Sequence, residues 1–521
     1  MSAREDGGSG YVLALACAGS FVVVMDATIV SVALPDIRTG LGFSPSGLPW
    51  VVNAYTLAFA GFLLLGGRLA DVFGQRRMYA VGMGLFTVAR LAAGLAATDG
   101  QLLAARAAQG LGGALLMPVT LSLVTTTFTE PARRARALGT WSAVGAVGAS
   151  SGPVLGGLLT EWAGWRWVFF VTVPVGVCAV AAAGRVLPAR DPGRAGRTRR
   201  QFSRLDVTGA ATATTGLVGV VYGVMRAPDT GWGSAQVLGP LAAGTALLAL
   251  FLVHQGRWAR EPLVPLSLFR LRAVSSGNAV MFLLGLGFFA SPVLLSLYLQ
   301  DVHGYGPLRA GLAYLPVGAA MFVGATAASR VSLRLGPRRA AAASCLLGAA
   351  GCGAVAALTG PHASYALSVM LPGTLFGLGT AAAFTPITVA ATSGVPVHRN
   401  GLAAGVLNTV RQTSGAVGLA ALSTLAAAVT AAAEDRPSSR APSRTALAEG
   451  YATAFGASAC LLAVAALLAW LTMPREPRRD GTTGSTGSTG SPTVTRPEPP
   501  PTPGIRDSSR DWSRGGTRGG A

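Results

Sequence analysis

The sequence has no lysine, and all 41 of its basic residues are arginine. It is also poor in charge, because charged residues make up 12% of the 521 residues, roughly half the share of a soluble domain. Hydrophobic residues reach 51% and form long runs from Tyr11 to Leu471. The chain is therefore a polytopic membrane protein and not a soluble domain with one anchor. Arginine without lysine is typical of a GC-rich bacterial genome.

Metal-binding and disulfide patterns are missing as well. The four histidines stand singly, and all five cysteines fall inside apolar segments, where they resemble small core residues. We therefore expect no metal, no disulfide and no cofactor. The phosphate-binding pattern GxxxxGK[ST] does not occur, which argues against ATP as the energy source. No nucleophile–base set is found that would indicate an enzyme with catalytic residues.

Fourteen apolar segments have the length needed to span a bilayer. The first is too long for a signal peptide and is expected to remain as a helix. With a cytoplasmic N-terminus the inner loops hold 23 arginines and the outer loops 7, so both termini are expected in the cytoplasm. This distribution accounts for the net charge of +20 and makes a nucleic-acid partner a weak interpretation. The segments begin near residues 11, 48, 78, 101, 137, 165, 205, 236, 274, 309, 339, 364, 401 and 449.

A faint internal repeat divides the chain. A shift of 262 residues places Gly74 on Gly336 and Gly156 on Gly418, which relates helices 1 to 6 to helices 9 to 14. Two six-helix halves around a midplane site are a transporter architecture. The predicted divisions are a cytoplasmic N-terminus (1–10), an N-terminal half (11–187), a basic linker (188–204), two inserted helices with a loop (205–273), a C-terminal half (274–474) and a disordered cytoplasmic tail (475–521).

The charges inside the spans are the candidate chemical groups. Asp26 lies in the middle of the first span, where a charge is costly unless it is paired or faces water. It could exchange a proton or pair with a cationic cargo; a static polar contact is the alternative. Arg106 in helix 4 could discharge Asp26 or hold a relay through Gln109, or it could only bind backbone carbonyls. Arg90 in helix 3 is expected to snorkel towards the outer face.

Other candidates lie in turns and on helix faces. Gly148, Gly152 and Gly156 recur at every fourth position of helix 5 and allow another helix to approach closely. Asp206 and Asp301 stand at helix ends and are expected to be solvated. Further members are the turn residues Gly67, Asp71, Gly74, Arg76 and Arg77, the helix 5 residues Pro153 and Gly157, and three residues assigned to the substrate cavity, Asn53, Asn408 and Arg411. A structural role is the alternative for Asn408 and Arg411, and an arginine-rich turn that only sets the topology is the alternative for the turn.

In their order along the chain these motifs resemble the major facilitator superfamily, in its fourteen-helix drug/proton antiporter branch of EmrB/QacA type. The turn GRLADVFGQRR resembles the signature loop of that superfamily, with Gln75 where a basic residue is usual. The resemblance covers about residues 11 to 472, and Thr172 departs from the expected asparagine. The other matching segments are MDATIVSVALP from Met25, LAARAAQGLGGA from Leu103, GASSGPVLGG from Gly148, WRWVF from Trp165 and GLAAGVLNTVRQ from Gly401.

The resemblance implies an all-α fold and a proton-coupled antiporter that exports small amphipathic or cationic compounds, such as drugs or a secondary metabolite. The expected location is the bacterial cytoplasmic membrane, with protons, a small-molecule substrate and the lipid bilayer as partners. The resemblance also implies a cytoplasmic latch at the turn from Gly67 to Arg77 and an antiporter motif in helix 5. An importer or facilitator on the same fold and a non-transporting sensor remain the alternatives. The sequence does not give the oligomeric state, and a monomer is the default expectation.

Overall fold

A computed structural model describes residues 2–44, 47–187, 206–259, 262–393, 395, 400–434 and 443–474. The predicted basic linker and the predicted tail lie outside these residues. The described chain forms fourteen long helices in the predicted order. They are α1 (Ser2–Leu41), α2 (Trp50–Phe73), α3 (Gln75–Gly94), α4 (Asp99–Thr127), α5 (Pro131–Ala163), α6 (Trp167–Val186), α7 (Val207–Thr230), α8 (Ala235–Trp258), α9 (Arg272–Val302), α10 (Pro307–Leu335), α11 (Pro337–Leu358), α12 (Ala366–Thr392), α13 (Asn400–Glu434) and α14 (Ser443–Thr472).

Thirteen of these helices, among the described residues, are both long enough and apolar enough to cross a membrane. The remaining one, α3, has 20 residues, which corresponds to about 30 Å of helix and matches the thickness of a bilayer core. Its apolarity is reduced by Arg76, Arg77 and Arg90. One of these three, Arg90, is buried, so its charge is compensated inside the protein.

The predicted repeat appears in the backbone. Gly74 joins α2 to α3 with φ +89°, and Gly336 joins α10 to α11 with φ +76°. Positive φ is readily adopted by glycine and rarely by other residues. The two turns therefore need glycine for the same reason. We call the end of the bundle that carries these turns the inner end, and the opposite one the outer end.

The same helix pairs pack together in both groups of six. In the first group α1 packs on α5, α2 on α4, and α3 on α4 and α6. In the second group α9 packs on α13, α10 on α12, and α11 on α12 and α14. This pattern confirms two six-helix halves. The exact residue boundaries of the predicted domains remain a prediction.

The inserted pair α7 and α8 lies beside the halves. Helix α7 packs on α8 and also contacts α2 and α13, one helix from each half. Helix α8 exposes large apolar side chains, among them Leu250, Leu252 and Val253. An exposed apolar face of this kind fits contact with lipid.

The two halves meet along three helix pairs, α2 with α13, α5 with α10, and α1 with α9. In the numbering of the repeat these are related positions, because α9, α10 and α13 correspond to α1, α2 and α5. The halves are thus arranged about a pseudo-twofold relation. This arrangement places α1 and α5 between their own half and the other one.

Candidate functional site

Asp26 is buried in the centre of the N-terminal half and is bound by two arginines. Its Oδ2 atom lies 2.7 Å from Nη1 of Arg106, and its Oδ1 atom accepts a hydrogen bond from Nη1 of Arg90. All three side chains are buried. Two guanidinium groups on one carboxylate leave the cluster with a net positive charge when all three groups are ionised. We call Asp26, Arg90 and Arg106 the ion cluster.

Arg106 is held in place by more than the acid. Its Nε atom donates to the carbonyl of Val51 at 2.8 Å, and Nη1 also donates to Oε1 of Gln109 at 2.9 Å. The guanidinium carbon lies 4.6 Å from the centre of the Tyr55 ring. Arg106 was predicted either to act on Asp26 or to bind only backbone carbonyls. It makes both kinds of contact, since it binds the acid and the carbonyl of Val51. Gln109 is buried, and its Nε2 atom has no hydrogen-bond partner among the described residues.

The prediction that Arg90 snorkels outwards is wrong. Arg90 points inwards, where its Nε atom donates to the carbonyl of Phe169 at 3.0 Å and Nη2 donates to the carbonyl of Val168. These carbonyls belong to the first turn of α6. The position of Arg90 near the end of α3 suggested an interfacial side chain. Its actual direction depends on how α3 is rotated towards α1, which a single helix sequence does not specify.

The helix 5 glycines set the distance between α5 and α1, and hence the position of Asp26. A side chain at Gly148 would meet Phe21 and Met25, and one at Gly152 would meet Thr28 and Ile29. Asp26 therefore lies on the segment of α1 that these glycines allow to approach. The predicted close approach at this face is confirmed, and the partner is α1 of the same half.

The remaining residues of the helix 5 motif face other neighbours. Gly156 lies against the carbonyl of Ile29, again on α1. Gly157 lies against the backbone of Pro307 at the start of α10, and Gly311 of α10 lies against the carbonyl of Pro153. The motif therefore contacts α1 with one face and the C-terminal half with another.

Polar contacts join the two halves at the outer end. Nη2 of Arg38 in α1 lies 3.2 Å from Oδ1 of Asp301 in α9. Within the C-terminal half, the hydroxyl of Tyr451 in α14 donates to Oδ2 of the same acid at 3.0 Å. The amide of Gln300 donates to the carbonyl of Val32 at 3.0 Å. The prediction that Asp301 is solvated is wrong, because a residue of the other half covers it.

The prediction that Asp206 is solvated is also wrong, because its side chain is buried. It caps the start of α7 by accepting from the backbone N–H of Gly209 at 2.8 Å, and it accepts from Gln255 and contacts His254 at 2.8 Å. Burial raises the pKa of Asp206. The hydrogen bonds from Gln255, Gly209 and His254 together lower it by a larger amount, so the pKa of Asp206 lies below its usual value. The acid thus ties α7 to the end of α8.

The turn predicted as a latch is anchored on several sides. Nε2 of Gln75 donates to the hydroxyl of Ser122 in α4 at 2.6 Å, and Arg76 donates to the carbonyl of Gly184 in α6. Arg77 is exposed. The side chain of Asp71 lies outside the described residues, so its predicted role remains a prediction. Gly67 stands near Pro118 of α4.

The three residues assigned to the substrate cavity occupy two places. Asn53 is buried beside α7, where its amide nitrogen lies 3.5 Å from the sulfur of Met225. Met225 also lines a cavity of about 650 Å³ between α2, α4 and α7, whose walls are mainly apolar. Asn408 and Arg411 lie together on α13. The guanidinium carbon of Arg411 lies 5.7 Å from the centre of the Phe384 ring in α12.

The described residues contain no group of three or more histidine, cysteine or acidic side chains that could hold a metal ion. The chemistry available at the ion cluster is the exchange of a proton on one carboxylate and a change in the contacts of two guanidinium groups. Such a cluster between helices of one half can couple protonation to helix movement.

Two six-helix halves with a buried ion cluster define a polytopic membrane transporter. The comparisons with known proteins agree. Residues 16–419 match the family model of the Major Facilitator Superfamily, and the chain belongs to this family. It is accordingly a multi-pass membrane transporter and not an enzyme.

The chain is similar to named export and resistance proteins. It is 41% identical over 466 residues to the cephamycin export protein CmcT of Amycolatopsis lactamdurans, covering 87% of this chain and 91% of that protein. It is 38% identical over 462 residues to the puromycin resistance protein pur8 of Streptomyces alboniger, covering 88% and 90%. The fold resembles the crystal structure of an auto-inhibited peptide transporter of the POT family, with a TM-score of 0.64 and 16% identity over 92% of this chain and 99% of that chain.

Proposed function

We propose that this transporter is a proton-coupled antiporter that exports small amphipathic compounds, such as drugs or a secondary metabolite. The observation that carries the proposal is the ion cluster. Asp26 lies at membrane depth, where a carboxylate is costly to keep and usually serves transport. The described residues offer no other acid that lies more than two helical turns from the end of its helix.

The cluster couples proton uptake to helix packing in this proposal. With Asp26 ionised, the two arginines tie α1 to α3 and α4. Protonation removes the negative charge that holds both guanidinium groups, so that α1 is freed to move relative to its neighbours. Because α1 also contacts α9 at the outer end through Arg38 and Asp301, this movement reaches the contact between the halves. Alternating access then follows by rocking of the halves.

Two further features support export. The helix 5 motif packs on α1 and on the C-terminal half, so it stands where the halves must move past each other. The relatives are named for export of cephamycin and for resistance to puromycin, and we infer the same direction of transport here. The contacts of Asp26 also narrow the predicted cargo, because both of its oxygens are bound by arginine and a cationic compound would have to displace one of them.

The topology completes the proposal. We infer from the arginine distribution that both termini are cytoplasmic, and that the end called inner faces the cytoplasm of a bacterial cell. The turn from Gly67 to Arg77 then acts as a cytoplasmic latch. We infer that the boundaries of the two halves and of the inserted pair are those predicted from the sequence.

The test uses everted membrane vesicles and a pump-deficient bacterial host. A panel of toxic compounds identifies cargo by increased tolerance, and uptake into the vesicles is measured with and without a protonophore. We expect protonophore-sensitive transport for the wild type and none for Asp26→Asn, with equal protein in the membrane. Asp99→Asn, at the exposed start of α4, is the matched control and should transport normally. Proton-coupled transport by the Asp26→Asn variant, or uptake only with a reversed gradient, contradicts the proposal.

A further inference from the structure

Arg411 differs from the other two arginines inside the bundle because its charge is not matched. Among the described residues, its buried Nε atom has no hydrogen-bond partner and no acid forms an ion pair with it. Its close aromatic neighbour is Phe384. Arg90 and Arg106, in contrast, each bind Asp26 and backbone carbonyls.

The depth of Arg411 rules out a simple interfacial role. It is the twelfth residue of α13, about 17 Å along the helix from its inner end. It also lies eight residues, about 12 Å, inside the span Ala403–Glu434 that is long and apolar enough to cross a membrane, so Arg411 stands within the span and not at its edge. An arginine stays charged in such a place. An unmatched charge at this depth is a marker of a substrate or ion pathway.

The balance of charge inside the bundle favours an anion. Within the described spans, three arginines, Arg90, Arg106 and Arg411, stand against one acid, Asp26, whose two oxygens are already bound by the first two. A cationic cargo finds no free acid there, whereas an organic acid finds a free guanidinium. We propose that Arg411 binds the acidic group, a carboxylate, of an amphipathic cargo. This inference rests on the proposed export function and specifies the class of its substrate.

The surroundings of Arg411 suit the apolar part of such a molecule. The ring centres of Phe384 and Phe288 lie 5.1 Å apart, and those of Phe288 and Phe289 lie 5.0 Å apart. Helices α9 and α12 supply these rings, and Phe289 packs against Gly415 of α13, one turn beyond Arg411. An aromatic carboxylate could therefore place its acid on the guanidinium and its ring among the phenylalanines.

Asn408 adds a polar group on the same face. It precedes Arg411 by three residues, so the two side chains lie on the same side of α13. Its amide can donate a second hydrogen bond to a carboxylate held by Arg411. The pair forms the polar end of the proposed site, and the phenylalanines form its apolar end.

Equilibrium dialysis of the full chain in lipid nanodiscs tests the proposal without a proton gradient. The probes are 2-naphthoxyacetate and its neutral analogue 2-naphthoxyacetamide, with empty nanodiscs subtracted. We expect the wild type to bind the acid at least about tenfold more tightly than the amide, equivalent to ~1.4 kcal/mol. Arg411→Gln should remove this preference, and Arg411→Lys should keep part of it. Arg309→Gln, which removes an arginine stacked at 4.0 Å on Tyr305 near the outer end, should bind like the wild type.

Several results overturn the inference. They are equal binding of acid and amide by the wild type, a parallel loss of both probes in Arg411→Gln, and an unchanged preference in that variant. If Arg411→Gln does not fold, Arg411→Lys decides, because an equal loss of both probes there also contradicts the proposal. A wild type that prefers the acid but shows no protonophore-sensitive export would sink the proposed function alone. Export with no acid preference would sink only this inference.

Discussion

The Oδ2 atom of Asp26 in α1 lies 2.7 Å from Nη1 of Arg106 in α4, across 80 residues of sequence. Arg90 of α3 binds the other oxygen of the same carboxylate. One acid thus connects three helices of the N-terminal half. Any change at this acid alters the contacts of all three helices, which makes it a suitable point for coupling.

Arg90 should be as important as Arg106 for transport. Arg90→Ala removes the hydrogen bond to Oδ1 of Asp26 and the donors to the carbonyls of Val168 and Phe169, and each buried polar group left unsatisfied costs about 1–3 kcal/mol. We expect loss of export and a lower thermal unfolding temperature in detergent. Arg90→Lys should recover only part, because lysine lacks the planar guanidinium. Arg166→Ala, partly exposed at the same end of the bundle, should change little.

A double variant separates the ion pair from other effects of Arg90. Asp26→Asn combined with Arg90→Ala should be less destabilised than the sum of the single changes, because the interaction between these two side chains can be lost only once. Additive losses of stability, or normal transport by Arg90→Ala, would support an interfacial arginine and not the buried pair.

The glycine at position 152 should be needed for movement and for the placement of Asp26. Gly152→Leu pushes α5 away from Thr28 and Ile29 of α1, and overpacking of this kind typically costs about 1–3 kcal/mol. We expect export to fall at least about tenfold (~1.4 kcal/mol) while much of the protein still reaches the membrane. Immunoblots of membranes and vesicle transport measure the two quantities. Gly139→Leu, where a side chain meets no atom within 4 Å, is the control on the same helix, and equal losses in both variants contradict the prediction.

The pair Arg38 and Asp301 should stabilise the closed outer end. It is partly exposed, so its contribution is expected to be at most about 1 kcal/mol, or a fewfold change in population. We expect Arg38→Gln and Asp301→Asn each to increase labelling of a single cysteine placed at Ser150, which stands 3.9 Å from the side-chain position of Gly318 across the halves. The variant that carries both changes should be labelled at the same rate as the Asp301→Asn variant. A labelling rate that is unchanged in every variant would exclude this role.

Asp71 should control the inner end without changing the cargo site. The turn is anchored by Gln75 on α4 and by Arg76 on α6. We expect Asp71→Asn to reduce the transport rate strongly while cargo affinity changes by less than about tenfold, or ~1.4 kcal/mol. Thiol labelling of single cysteines in inner and outer loops, in a background without the native cysteines, should show a shift between states. Glu130→Gln is the control, because Glu130 is an exposed acid at the same end. If Asp71→Asn shows unchanged labelling and normal transport, the turn only sets the topology of the chain.

Much of the fold could be predicted because it depends on local properties of the sequence. Apolar length fixed the number and order of the helices, and the offset of 262 residues anticipated the equal turns at Gly74 and Gly336. The spacing of Gly148, Gly152 and Gly156 predicted a face of close approach, since residues four apart share one side of a helix. The chemistry of Asp26 could likewise be proposed from its depth alone.

The sequence by itself determined the membrane class, the division into two halves and the position of Asp26 within its span. Each of these depends on the order of residues along the chain: the length of the apolar runs, the repeat, and the distance of the acid from the ends of its run. Only the tertiary structure decided which groups meet. Arg90 points inwards to Asp26, Asp301 contacts Arg38, and Arg411 has no acid beside it among the described residues. These outcomes depend on the rotation and depth of one helix relative to another, set by packing between residues far apart in sequence. A shift of a single helix by one turn would exchange every such partner while leaving the hydropathy pattern unchanged.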